Sequence, residues 1–546
     1  MKNFPYNIIF ILPLCFSFNR STAQDTTRRQ TIEITSSYKP SLRSSVKINL
    51  YATPITPDTA KPHLAYFIPP QNLFYSYEPI ALRPLAFQAD TSLKLGDRNQ
   101  LKVGFGNYTT PYVSGAFSFG DGKHNLANVY GDYISSRGKI QNQDFSEINI
   151  KGTGSIFSAK NETYAGIGFA QHEYYQYGYD HTINTFTKPS IRRSYQDLSV
   201  NVGYRNTALN DLGINYDPHI EVHEFSRESE TNETTLILNL PAEKKFSDAV
   251  SIKVAVLGNF NQYKIKNSPI SFNNNLFQLA PELTYYSERF TFHGGITPSW
   301  NNGEMAVLPN MYVEAQLPGK ALMIQAGWVG RYISNSFRTL SGKNPYMQDP
   351  VFLNNTKEIQ YYGGIKATVG KHFNFNAKAA FISYTDMPLF INDSIIGNSF
   401  YVSNESKLSN VLIHGDMNFI SQDKFTITGA LDLNSYTGLH DNDRAWGLYP
   451  LKLTGSFRWN AFEQVILKGD LSAFSGAKAL VKNGAGTYID KNVKGGTDLS
   501  AGAEFKLNKQ FSVWLDLNNI LNSKYQRWNN YPVYGFQIIG GILVHF

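Results

Sequence analysis

Cysteine is almost absent from this chain. Its 546 residues include one, Cys15, near the start, so the body of the protein has neither a disulfide framework nor a thiolate metal site. Charged residues are few as well, at 17% of the chain, and the formal net charge is +7. That excess is modest for the length, and no basic cluster is interleaved with aromatics, so no nucleic-acid partner is expected. Beyond residue 23 no apolar run is long enough for a membrane-spanning helix. Catalytic signatures are missing too: there is no G-x-S-x-G, no H-E-x-x-H, no phosphate loop and no cysteine nucleophile. No enzymatic activity, cofactor or metal is therefore expected.

Aromatic residues are plentiful, at 14% of the chain, with 34 Tyr and 37 Phe. Composition alone fits a secreted β-sandwich or propeller as well as a membrane barrel. Periodicity favours the barrel. In the last fifty residues Phe511, Val513, Leu515 and Leu517 alternate with Ser512, Trp514, Asp516 and Asn518. Phe536, Ile538, Gly540, Ile542, Val544 and Phe546 do the same with Gln537, Ile539, Gly541, Leu543 and His545. A period of two gives each strand two distinct faces. Similar runs recur from about residue 97, among them Ile359 to Val369 and Val411 to Phe419.

The expected strands run roughly 10 to 13 residues, the length a tilted strand needs to cross a bilayer. Short turns near 120–124, 158–162, 243–248, 286–289, 318–320, 370–372, 421–424, 462–464 and 508–510 interleave with longer connections. The longer ones include 175–192, 263–272, 333–356, 386–408, 437–449, 475–496 and 521–534, and a connection near 206–212 completes the series. One strand between each pair gives an all-β transmembrane antiparallel β-barrel of about 22 strands, with periplasmic turns and outer loops. A barrel that wide is not filled by its own side chains.

Three segments are expected. Met1 to Ala23 reads as a signal peptide: Lys2 precedes an apolar stretch from Ile8 to Phe18, and Ser21, Thr22 and Ala23 are small. Leu14 before Cys15 argues against lipidation, and loss of Lys2 and Arg20 would lower the net charge from +7 to +5. Residues 24–96 carry Pro40, Pro54, Pro57, Pro62, Pro69, Pro70, Pro79 and Pro84, which exclude continuous helix or central strand. This segment precedes the barrel, 97–546, and is positioned to enter its lumen or to remain periplasmic.

The closing run from Asp516 to Phe546 resembles the C-terminus of TonB-dependent receptors, through Asn518, Asn519, Leu521, Tyr525, Tyr531, Pro532, Gly535, Gly540 and Phe546. The resemblance implies a Gram-negative outer-membrane barrel that takes up a scarce solute, with an N-terminal plug and energy passed on by TonB. Ile32, Glu33, Ile34 and Thr35 are the candidate TonB-contact strand, a form of strand addition. Residues 24–96 span about half of what a family plug occupies and lack its glycine motifs, so they are expected to be a reduced plug or a periplasmic linker. The expected function is a transporter or receptor for an unidentified solute; a scaffold or adhesion barrel and a passive porin are the alternatives. Outer-membrane lipid, the barrel-assembly machinery, TonB and a surface lipoprotein are the partners to look for.

Several residues are candidates for these roles. Phe536, Ile538, Ile542, Val544 and Phe546 form the candidate barrel-assembly signal. Tyr175, Tyr177 and Tyr179 with Arg192 and Arg193, Arg444 with Trp446, and Arg527 with Trp528 are the candidate ligand contacts on outer loops. Rim aromatics and solvated charge are the competing explanation for these. His440, Asp441 and Asp443 lack calcium-loop spacing and read as a solvated turn. His219, Glu221 and His223 share one strand face and read as wet barrel interior.

Overall fold

The computed structural model describes residues 99–546, apart from 209, 229, 319, 320, 371, 422, 423 and 483–485. The signal peptide, the 24–96 segment and the candidate strand at Ile32, Glu33, Ile34 and Thr35 lie outside the described residues.

Alternating side chains drive the strands, and short Asx turns reverse them. At the second reversal, between Thr110–Gly120 and Asn125–Arg137, Asp121 accepts the backbone N–H groups of Lys123, His124 and Asn125, while Gly122 adopts φ 63°. Asn508 does the same for Gln510 and Phe511. A side chain that satisfies its own turn frees the chain to reverse within a few residues.

The described residues form a closed antiparallel barrel of 22 strands. The main sheet has 23 segments, but Ile214–Tyr216 and His219–Arg227 both pair with Thr231–Ser247 and make one crossing, interrupted at Asp217 and Pro218. Closure comes from the first strand, Gln100–Gly106, whose Val103 lies opposite Ile542 of the last, Gln537–His545. No sheet edge is left open within the wall. Strand lengths differ from the expected range, from 7 residues in Gln100–Gly106 to 17 in Thr231–Ser247. The longest exceed what a bilayer requires.

The two faces are inverted relative to a soluble protein. In Arg192–Asn206, Leu198, Val200, Val202 and Tyr204 point outward and are exposed, alternating with Asp197, Ser199, Asn201 and Gly203. The last strand exposes Phe536, Ile538, Ile542 and Phe546, with Val544 partly exposed beside them, while Ile539 and Leu543 are buried. An aliphatic exterior around a polar interior is stable only against lipid.

Inside, charges pair along a strand or between strands one or two places apart in the wall. Arg331 reaches Glu358 at 2.9 Å, and Lys102 and Lys468 reach Asp516 at 3.3 and 3.1 Å. His414 lies between Asp432 at 2.6 Å and Asp416 at 3.1 Å. Such cross-strand pairs satisfy inward charges without crossing the lumen.

Short turns gather at the rim that holds both ends of the barrel, and long loops at the other. The loops occupy 176–191, 266–270, 334–355, 386–407, 438–450, 475–495 and 519–536, close to the expected positions. They also hold structure that alternation did not announce: a helix, Phe337–Lys343, and the hairpins Met387–Asn392 with Phe400–Glu405 and Lys478–Lys482 with Tyr488–Asn492.

Candidate functional site

The outer mouth concentrates the candidate residues. Helix Phe337–Lys343 begins at Ser336, which forms a reciprocal capping box with Thr339. Glu233, buried at the outer end of its strand, accepts the N–H groups of Phe337 and Arg338 at 2.5 and 3.0 Å. A carboxylate here meets both orphan donors and the positive end of the helix. Arg227 holds Asp349 at 2.7 Å, and Tyr195 donates to the carbonyl of Pro345 at 2.8 Å. Loop 334–355 is thereby fastened to the wall.

Two other loops meet it. Tyr346 stacks on Tyr531 of loop 519–536 with ring centroids 3.6 Å apart, and Tyr177 of loop 176–191 packs edge-on against Tyr531 at 4.9 Å. Tyr177 also donates to the carbonyl of Pro532 at 2.9 Å, and Tyr531 donates to that of Asn398 in loop 386–407. Around the rim these three loops follow the fifth, thirteenth and twenty-first strands, so eight, eight and six strand steps separate them in a ring of 22. Residues so evenly spaced on a wall of radius roughly 20 Å meet only if their loops cross the mouth toward the axis.

The three tyrosines belong to one buried cluster with Tyr195, Phe225, Tyr263, Phe337, Leu340, Met347, Phe390, Phe400 and Trp528. Burial raises the hydroxyl pKa of Tyr177, and more strongly those of Tyr346 and Tyr531, so all three remain neutral donors at ordinary pH. A second cluster of Leu389, Ile391, Leu408, Trp446 and Leu448 continues it. Together they make a dome over the lumen.

The candidate ligand contacts divide accordingly. Tyr175, Tyr177, Tyr179, Trp446, Arg527 and Trp528 are buried. Tyr179 accepts a hydrogen bond from Asn142 at 3.0 Å and packs edge-on against Phe186. The Arg527 guanidinium lies 4.5 Å from the Tyr449 ring centroid and 4.0 Å from that of Trp528, and donates to the carbonyl of Gly447. Tyr177, Trp446, Arg527 and Trp528 pack the dome, and Tyr175 and Tyr179 form a separate cluster with Ile191. Arg192 is exposed but bound to Glu173 at 2.6 Å, and half-buried Arg193 donates to the carbonyl of Arg192. Arg444 turns to Asp490 at 3.1 Å.

The two histidine groups are also resolved. His223 lies 3.0 Å from Asp197 and 2.8 Å from Glu221, whereas His219 turns to the carbonyl of Asp217. No metal-holding group of three such side chains occurs among the described residues. His440 and Asp441 instead wrap Glu405, which accepts their N–H groups at 2.6 and 2.9 Å and both donors of Asn442 at 2.9 Å. Burial would raise the Glu405 carboxyl, but these bonds, led by that of Asp441, hold it below the usual range. Asp441, bonded by Ser406 and His440, is lowered to about 2.

No known family profile and no curated protein matches the chain. Solved structures do. The FrpB iron transporter of Neisseria meningitidis superposes with a TM-score of 0.64 at 12% identity, over 82% of this chain and 81% of that one. The siderophore receptor PirA of Acinetobacter baumannii gives 0.64 at 9%, over 83% and 81%. The ferric enterobactin receptor PfeA of Pseudomonas aeruginosa gives 0.60 at 10%, over 82% and 80%. Identity this low makes it a likeness of fold. The barrel as a whole therefore has the architecture that its closing run resembles, that of TonB-dependent receptors of the outer membrane.

Proposed function

We propose that this outer-membrane barrel is a receptor-type transporter: it takes a solute at its outer loops and passes it through a lumen roofed by the tyrosine dome. One observation carries the reading. Loops from three sides of a wide barrel converge on Tyr177, Tyr346 and Tyr531, an arrangement of use to a barrel that must stay closed until loaded. A passive porin has no need of such a roof. The fold-level likeness to iron and siderophore transporters makes a ferric chelate the first solute class to test.

In this reading residues 24–96 form the reduced plug, and Ile32, Glu33, Ile34 and Thr35 pair with TonB by strand addition. Phe546, with Phe536, Ile538, Ile542 and Val544, presents the outward edge read by the barrel-assembly machinery. Deleting Phe546 is expected to lower the assembled fraction in the outer membrane. A surface lipoprotein is a further partner.

Single-channel conductance in planar bilayers tests the reading on four proteins: the wild type, a deletion of 24–96, the pair Tyr346→Ala with Tyr531→Ala, and the two changes combined. The wild type should be closed and the combined variant widely open. A wild type already open favours a porin. A closed combined variant favours the scaffold, the second reading, which the dense packing of the dome also supports. Uptake that survives collapse of the proton gradient contradicts the TonB-driven step.

A further inference from the structure

The hairpin Lys478–Lys482 with Tyr488–Asn492 stands apart from the barrel sheet. Its two strands pair in unbroken register, Lys478 opposite Asn492 and Lys482 opposite Tyr488. The first strand faces the dome: Ala479 is buried, Leu480 packs against the Trp446 cluster, and Gly447 donates its N–H to the carbonyl of Lys478 at 2.9 Å. Arg444 and Lys478 both reach Asp490, at 3.1 and 3.5 Å, and fix the second strand in place.

That second strand is the outermost layer. All five of its residues are exposed, and among them Tyr488 is 53% and Ile489 43% exposed. In an antiparallel pair each strand turns half of its N–H and C=O groups away from the partner. Apart from the ladder itself, no backbone bond among the described residues involves Tyr488 to Asn492, so the outward groups form a free edge. Natural edges are blunted by proline, bulges or rows of charge. This one has no proline, no register shift, a single lysine and two exposed apolar side chains.

Its charge is one-sided. Asp490 is neutralised by Arg444 and Lys478. Lys482, Lys491 and Lys494 are exposed, and none has an ion-pair partner among the described residues. Tyr401 of the neighbouring hairpin lies beside the strand; burial, and then the nearby Tyr488, raise its hydroxyl.

We propose that the edge at Tyr488–Asn492 is a docking surface on which an extended, acidic segment of a partner polypeptide adds as a third strand. The main-chain ladder supplies affinity, Tyr488 and Ile489 each offer an apolar contact on opposite faces of the sheet, and the summed charge of Lys482, Lys491 and Lys494 favours an acidic segment. The site uses no residue of the tyrosine cluster, so it stands whether or not the barrel transports.

The test uses the full chain in nanodiscs and fluorescence anisotropy with three synthetic octapeptides: one alternating Val or Thr with Glu, one with Lys in place of Glu, and the acidic one N-methylated at alternate residues. The acidic peptide should bind at least about tenfold more tightly than the basic one, and added salt should weaken it. N-methylation on the pairing edge should abolish binding. Lys482→Glu combined with Lys491→Glu should reverse the preference, with heat-modifiable migration confirming that the barrel remains folded. The proposal is overturned by equal affinity for acidic and basic peptides, by undiminished binding of the N-methylated one, by no binding at all, or by sedimentation that shows two copies of the chain pairing through this edge.

Discussion

The strand Arg192–Asn206 and the loop before it, 176–191, are both rich in aromatic and polar residues, yet different forces fold them. In the strand, every second side chain meets lipid and the others meet the lumen, so position along the chain decides environment. In the loop, Tyr177 is buried because Tyr346 and Tyr531 arrive from strands far around the rim. Wall residues answer to their neighbours in sequence and in the ladder, and dome residues to partners hundreds of positions away. The wall should therefore tolerate damage to the dome, while the dome should not survive loss of the wall.

The sharpest contrast is between two adjacent residues of one strand. Val200→Lys places a charge on the lipid face near the strand's middle and should cost about 2–4 kcal/mol, enough to prevent assembly. Asn201→Lys, facing the lumen, should assemble normally. Heat-modifiable migration and urea titration in detergent check both, and equal behaviour would erase the distinction between the faces.

Confined to the dome, where Val200→Lys acts on the whole barrel, is the effect of Tyr531→Ala. Removing this ring from the centre of the buried cluster should cost the dome about 3–5 kcal/mol and leave the melting of the barrel unchanged. Hydrogen exchange should accelerate in 176–191, 334–355 and 519–536 together, because the three loops share one ring. Acceleration in 519–536 alone would mean that the loops are independent.

A smaller effect is expected at the fastening. Glu233→Gln retains the shape but loses the charge that meets two helix N–H groups, and should cost about 1 kcal/mol. Faster exchange should be confined to 334–355.

The last contribution is that of Glu405, which acid reveals by removing it. Its carboxyl lies below the usual range in the folded loop. Its contribution is therefore complete above the unfolded carboxylate value and is lost as pH falls through the lower folded one. Amides of His440, Asp441 and Asn442 should remain protected at neutral pH and lose protection only under strong acid, and Glu405→Gln should remove that dependence.

The same contrast explains what could be read from the chain. Alternation from Leu198 to Tyr204, from Ile359 to Val369 and from Phe511 to Leu517 announces the wall, because lipid and lumen impose a strict period of two. Asp121 and Asn508 announce their turns through local chemistry. The helix Phe337–Lys343 is too short to display a 3.6-residue period; its one local signal is Ser336 with Thr339, a capping pair that lacks the usual acidic member. Tyr177, Trp446 and Trp528 are recognisable as outer-loop aromatics, but no local pattern reveals that they are buried in clusters with other loops. The free edge at Tyr488–Asn492 follows from which backbone groups are paired, and that lies in the tertiary arrangement alone.

The closed dome is tested most directly by thiol labelling on intact cells, since the chain has no cysteine beyond Cys15. Met347→Cys, at a side chain buried in the dome, and Ile395→Cys, at a residue 88% exposed on a neighbouring loop, would each be treated with a membrane-impermeant maleimide. The account predicts rapid labelling at 395 and protection at 347 that disappears when Tyr531→Ala is added. Equal labelling of both positions in the otherwise unchanged protein would contradict it.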